Sequence, residues 1–139
     1  MNISSWLKQL FSPTITTQTF DNIIVAKVTK IEKHPNADRL QVVELTDGEK
    51  TYAPIVCGAF NFEVGAIVAL ALPGATIPHD QHDPAGKPFV LTKATIRGIE
   101  SQGMICSAKE LGLGEDSGGI MILKETAELG SKFTSDLIK

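Results

Sequence analysis

The residues best suited to chemistry in this chain are cations placed beside turn-forming residues. Lys93 and Arg97 bracket Lys93-Ala94-Thr95-Ile96-Arg97, whose alternation predicts a strand with Ala94 and Ile96 inward and Lys93, Thr95 and Arg97 outward. A second group lies in His34-Pro35-Asn36-Ala37-Asp38-Arg39, a turn cluster, because proline fixes φ and Asn and Asp bond back to the backbone. Lys and Arg supply contacts to phosphate, and Asn, Ser and Gln bond to bases or backbone, so an outward basic row beside such a turn is suited to a nucleic acid. His34 is placed to stack on a base or meet a phosphate, or is simply part of the turn. Stacking platforms are scarce, since the aromatic residues are Trp6, Tyr52 and six Phe.

Other constellations carry less. His79-Asp80-Gln81-His82-Asp83 holds two imidazoles and two carboxylates, types that together bind divalent metals. Metal sites usually draw ligands from separate elements and no distant partner is evident, so the segment reads as a hydrophilic surface loop with no metal. The serines stand in no Gly-x-Ser-x-Gly, and there is no P-loop, no dinucleotide fingerprint and no zinc-finger spacing. The sequence offers no catalytic residues. Cys57 and Cys106 sit far apart among apolar residues and read as buried, reduced thiols of a cytoplasmic protein.

The elements that must position these residues are constrained by composition. The chain has 139 residues, 42% hydrophobic and 21% charged, which suits one compact domain with a real core. No apolar stretch approaches a membrane span, and the first residues lack the basic start and long apolar run of a secretory leader. The net charge of −3 is unevenly spread. Lys87 to Lys109 holds four basic residues against Glu100, and Asn22 to Val43 holds four against Glu32 and Asp38, whereas Glu110 to Glu128 holds five acids against Lys124. Such a dipolar surface can guide a polyanion onto its positive side.

Trp6, Leu7 and Leu10 after Ser4-Ser5 predict a short amphipathic helix, and Ser12 to Thr19 reads as a linker, giving an amino-terminal segment over 1–21 and a domain over 22–139. From Asn22 the pattern becomes β. Alternation that loses phase at Lys30-Ile31 predicts a long strand with a bulge. Strands are expected over Leu40 to Leu45 and Thr51 to Cys57, joined at Asp47-Gly48. The nearly all-apolar Ala66 to Leu72 predicts a buried strand, Gly74 to Gly86 a loop, and Gly103 to Ser107 and Gly119 to Leu123 the last strands. Ala108 to Leu111 and Thr134 to Ile138 suggest helical turns. About seven short strands with frequent glycine turns argue for an all-β fold, an OB-fold β-barrel with a short N-terminal helix and short helical turns.

Three segments in order, His34-Pro35-Asn36-Ala37-Asp38-Arg39-Leu40, Ile55-Val56-Cys57-Gly58-Ala59 and Arg97-Gly98-Ile99-Glu100-Ser101-Gln102-Gly103-Met104-Ile105-Cys106-Ser107, resemble the tRNA-binding domain shared by several aminoacyl-tRNA synthetases and their accessory factors, the endothelial-monocyte-activating-polypeptide-like group. The pattern covers about Asn22 to Leu123. Ile3-Ser4-Ser5-Trp6-Leu7, the acidic stretch Glu110 to Ile120 and Gly130-Ser131-Lys132-Phe133 are similar to the amino-terminal region of bacterial phenylalanyl-tRNA synthetase β subunits. Two departures stand out: a short segment between Trp6 and Asn22, and the His/Asp-bearing loop from Pro78 to Lys87. The chain is also far shorter than a whole β subunit, so a piece of a longer subunit is expected.

The resemblance implies tRNA contacts from Lys33, His34, Asn36, Asp38, Arg39, Lys93, Arg97, Ser101, Gln102, Met104 and Ser107. Lys93 and Arg97 would meet phosphates; Asn36, Asp38 and Arg39 would shape the turn and present donors; the last four would line the adjacent strand and loop. Asn36 and Asp38 could equally cap the turn, and Met104 could be core. Partners implied are tRNA, the rest of the β subunit and the catalytic α subunit, with no membrane. The domain itself would need no cofactor, ATP and Mg serving only the parent synthetase in attaching phenylalanine to tRNA. The alternative is a stand-alone homodimeric tRNA-binding or export-chaperone-like protein, and a third reading is an architectural module that binds no RNA.

Overall fold

A computed structural model describes residues 19–80, 85–114 and 119–139. The strands are β1 (Thr19–Lys33), β2 (Gln41–Thr46), β3 (Thr51–Cys57), β4 (Ile67–Ala71), β5 (Thr76–Ile77), β6 (Phe89–Val90), β7 (Ala94–Ile96), β8 (Ile99–Ser101), β9 (Met104–Ile105) and β10 (Lys132–Thr134), followed by a 3-10 turn over Ser135–Leu137. The main sheet runs β3-β2-β1-β4-β9, with β10 paired to the start of β1. All its ladders are antiparallel. β5 with β6, and β7 with β8, form separate two-stranded hairpins.

β1 carries the curvature. Its residues 23–27 pair with β4, residues 27–33 with β2, and the register shifts between Val28 and Lys30. A bulge there bends the strand and increases its twist, as the lost phase at Lys30-Ile31 predicts. The sheet curls far enough for β3 to approach the segment between β8 and β9. Val56 N–H donates to Ser101 Oγ at 2.9 Å, and Gln102 N–H donates to the Pro54 carbonyl at 2.9 Å. The architecture is an all-β, OB-like barrel.

Why β4 is apolar throughout follows from its two neighbours. Val68 and Leu70 face the barrel interior with Val28, Val43, Leu45, Ile55 and Ile105. Ile67, Ala69 and Ala71 face a second cluster on the other side, built from Ile77 and Leu91 near the β5–β6 hairpin and from Met121, Leu123 and Phe133 of the carboxy-terminal segment. A strand buried on both faces cannot alternate. Phe20 and Phe133 stack with ring centroids 5.7 Å apart where β10 covers the start of β1.

Several expectations need correction. Ala94 does not point inward but is exposed, and Ile96 is only half-buried, because β7 belongs to a hairpin outside the main sheet. Gly119 to Leu123 is not a strand: it contributes one bridge, Leu123 to Ile138, and single backbone bonds such as Met121 N–H to the Cys106 carbonyl. β5, β6, β8 and β10 add short strands that the sequence pattern did not mark. The 3-10 turn near the end agrees with the expected helical turn, whereas Ala108 to Leu111 forms turns without a helix. The expected helix around Trp6 lies outside the described residues. No helix among the described residues is long and apolar enough to cross a membrane.

Candidate nucleic-acid interface

The turn after β1 is built around His34, which is 1% exposed. Its backbone N–H donates to the Leu40 carbonyl at 3.2 Å and closes the turn that Pro35 rigidifies. The Asn36 N–H donates to His34 Nδ1 at 3.0 Å, so Nδ1 is the acceptor and the ring proton sits on Nε2. Nε2 in turn lies 3.1 Å from the Ile96 carbonyl, at the end of β7. Both nitrogens are thus spent on backbone and the ring is enclosed, leaving no face for a base.

The β7–β8 hairpin pairs Ala94 with Ser101, Thr95 with Glu100 and Ile96 with Ile99, so Arg97-Gly98 forms a two-residue turn. Arg97 has φ of 52° and Gly98 has φ of 91°, the arrangement of a type I′ turn. Asn36 Nδ2–H donates to the Arg97 carbonyl at 3.1 Å. The His34–Arg39 turn and the hairpin tip are therefore interlocked, although they are separated by about sixty residues in sequence.

That interlock brings Lys33, Arg39 and Arg97 onto two touching loops, with Lys93 at the entry to β7. All four are exposed. Lys33 lies 3.9 Å from Asp38, with both side chains mostly in water, so the pair is screened and weak. Among the described residues Arg39, Lys93 and Arg97 have no carboxylate partner. The nearby acid Glu100 is engaged by Gln102, whose Nε2–H donates to Glu100 Oε1 at 3.3 Å. Glu32 and Glu44 on β1 and β2 are likewise engaged, by Lys30 at 2.7 Å and by the Thr29 hydroxyl at 2.8 Å. The Glu32 carboxylate holds the Lys30 ammonium above its ordinary pKa.

The remaining candidates have structural partners. Ser101 is 3% exposed; its hydroxyl accepts from Val56 N–H and donates to the Gly103 carbonyl at 2.9 Å. Met104 is half-buried and packs against the cluster outside the barrel. Ser107 is buried, and Glu110 Oε1 accepts both its backbone N–H at 2.9 Å and its hydroxyl at 3.0 Å. The Glu110 N–H donates back to Ser107 Oγ at 3.3 Å, a reciprocal capping box that Ser-x-x-Glu announces in sequence. Of the eleven residues suggested by the resemblance, Lys33, Asn36, Asp38, Arg39 and Arg97 are exposed on the two interlocked loops and Lys93 is exposed at the other end of β7, whereas Gln102 is half-buried and bonded to Glu100 and His34, Ser101, Met104 and Ser107 are turned into the protein.

Gly98, at φ of 91°, shapes the tip that carries Arg97. Only the glycine of Arg97-Gly98 suits such a turn, since Asn, Asp or Gly normally fills the first position, so the sequence marks this hairpin weakly. His79 Nδ1 lies 3.3 Å from the Gly86 carbonyl, and Gln81 to Pro84 lie outside the described residues. Among the described residues no group of three or more His, Cys, Asp or Glu side chains is placed to hold a metal. Cys57 and Cys106 are free and buried, and burial pushes both thiols up in pKa, Cys106 furthest.

Residues 23–132 match the family described as "Putative tRNA binding domain". A phenylalanine–tRNA ligase β subunit from Cupriavidus pinatubonensis is 48% identical over 80% of this chain, and one from Dechloromonas aromatica is 39% identical over 91%. The chain spans only 13% and 18% of the lengths of these two relatives. Among solved structures, a MetRS-related protein from Pyrococcus horikoshii superposes with a TM-score of 0.56 at 18% identity, covering 96% of both chains, which shows the shared fold. The C-terminal domain of Plasmodium vivax p43 superposes at 0.53 with 25% identity, covering 80% of this chain and 58% of that one. With the family match running from β1 through the interlocked loops to β10, the chain belongs to the tRNA-binding domain family.

Proposed function

We propose that this chain is the tRNA-binding module of a phenylalanine–tRNA ligase β subunit, and that it holds tRNA through phosphate contacts from Lys33, Arg39, Lys93 and Arg97. The observation that carries the reading is the interlock, which places the exposed cations Lys33, Arg39 and Arg97 on two touching loops inside the matched domain, with exposed Lys93 on the same hairpin; of the four, Arg39, Lys93 and Arg97 have no carboxylate partner among the described residues. Phosphate contacts position a nucleic acid without reading its sequence. The module therefore adds affinity and orientation, and attachment of phenylalanine falls to a catalytic α subunit that uses ATP and Mg. The domain itself takes no cofactor, and the assembly works in the cytoplasm. The homodimeric alternative is not favoured, because the relatives covering most of this chain are β subunits.

A titration of labelled tRNA at two salt concentrations tests this. If three phosphates are neutralised, affinity falls roughly twenty- to forty-fold between about 50 and 200 mM salt. Lys93→Ala and Arg97→Ala should each weaken binding and lower the salt slope by about one. Absence of binding even at low salt would leave an architectural module.

A further inference from the structure

Arginine is a poor residue for the place where it stands. The first central position of a type I′ turn requires positive φ, and Asn, Asp or Gly normally fills it. A side chain such as arginine is strained in that region, because its Cβ crowds the following carbonyl oxygen. Arg97 nevertheless sits there at φ of 52°. The hairpin around it is short, three residues per strand, and of its paired residues only Ser101 is buried. Such a hairpin is not stable alone. What holds it from outside is specific: His34 Nε2–H on the Ile96 carbonyl and Asn36 Nδ2–H on the Arg97 carbonyl, one bond to each of two successive peptide groups. His34 cannot swing away, being enclosed, and its own orientation is set by the Asn36 N–H at Nδ1.

We propose that His34 and Asn36 are positioning residues for Arg97, fixing the strained turn so that its guanidinium is presented to a tRNA phosphate, and that their effect on RNA binding runs through Arg97. This rests on the tRNA-binding reading above. A free hairpin would spread Arg97 over many orientations, and the ordering would then fall on the binding step. Held in advance, the cation meets the phosphate without that loss. Asn36 is the better residue to test, since it is exposed and its loss opens no cavity.

The experiment is a double-mutant cycle in tRNA binding with Asn36→Ala, Arg97→Ala and the pair, read as affinity and as salt slope, together with backbone amide relaxation of the free protein. Asn36→Ala should lower both affinity and slope as far as Arg97→Ala does, with the slope falling by about one. The double variant should bind no worse than Arg97→Ala alone, since residues acting as one unit are not additive. In the free protein, the order parameters of the Arg97 and Gly98 amides should fall from about 0.85 toward 0.6 in Asn36→Ala. Gly98→Ala, which strains the same turn at φ of 91° while its Cβ reaches only ordinary van der Waals distance from Asn36 Nδ2, at 3.6 Å, should reproduce the loss. If Asn36→Ala weakens binding at an unchanged slope and adds fully to Arg97→Ala, Asn36 meets RNA itself and the proposal is wrong. Rigid Arg97 and Gly98 amides in Asn36→Ala also overturn it. Failure of the unmodified chain to bind tRNA at all would instead sink the functional reading beneath it.

Discussion

β4 and the β7–β8 hairpin are opposites within one small barrel. Every residue of β4 is buried, between the barrel interior on one face and the outer cluster on the other. The hairpin buries only Ser101 and sits outside the main sheet. Its shape depends on hydrogen bonds to other elements: His34 and Asn36 donate at the tip, and at the base Val56 N–H donates to Ser101 Oγ while the Pro54 carbonyl accepts from Gln102 N–H. One region supplies stability through apolar area; the other supplies cations through polar attachment. Substitutions should therefore separate cleanly into those that unfold the barrel and those that silence its charged edge.

The largest effect should come from the β4 side. Leu70 is fully buried in the barrel interior, and Leu70→Ala should cost about 2–5 kcal/mol, read as a lower midpoint in urea. The tRNA salt slope of the molecules still folded should not change. A shift in that slope would break the separation. Next comes Gly103, which joins the two regions. A Cβ there would lie 2.6 Å from the Ala71 carbonyl, on the strand paired with β9. Neither backbone can yield easily, so Gly103→Ala should destabilise by about 1–3 kcal/mol in the same denaturation. Because Ser101 Oγ donates to the Gly103 carbonyl, this variant alone should also disturb the base of the hairpin.

The same contrast explains what could be read from the sequence. β1 to β4 announce themselves: alternation, a lost phase at the bulge, an Asp-Gly connection and an unbroken apolar run all reflect burial summed over many residues. Ala94 misled, since three residues are too few for alternation to fix a face, and here attachment by His34 and Asn36 decides it. The cations of the site were legible as cations. The roles of His34 and Ser101 were not, because their partners lie 62 and 45 residues away and exist only once the barrel has closed. The Ser107–Glu110 box, three residues apart, is the local counterexample.

A smaller effect, with opposite signs in the two measurements, is expected at the hairpin tip. Asn-Gly is the preferred pair for a type I′ turn. Arg97→Asn should relieve the positive-φ strain and raise stability by about 0.5–1 kcal/mol, seen as a higher melting temperature. It should at the same time weaken tRNA binding and lower the salt slope by about one. If stability and binding both fell, the arginine would be serving the fold, and the contrast with β4 would blur.

The smallest effect sharpens the comparison from a third place, the β2–β3 turn. Asp47 Oδ1 accepts the N–H groups of Lys50 at 2.7 Å and Glu49 at 2.8 Å, and Oδ2 accepts the Tyr52 hydroxyl at 2.8 Å. These donors, Lys50 first, hold the Asp47 carboxyl below the usual carboxylate range. A lowered folded pKa means that the stabilisation is present above the unfolded value of about 3.9 and is lost as pH falls through the folded one. Tyr52 has the opposite sign: burial and the Asp47 bond raise its pKa, so its share persists below about 10 and is lost at higher pH. The stability gap between the unmodified chain and Asp47→Asn should hence stay level from about pH 5 to 9 and narrow at both ends. Solvent around the turn keeps that gap small. tRNA affinity measured across the same plateau should match between the two proteins, because no cation of the interlock is bonded to this turn. A drop in affinity with Asp47→Asn at constant stability would mean that the β2–β3 turn belongs to the RNA surface, and that the charged edge extends beyond the hairpin.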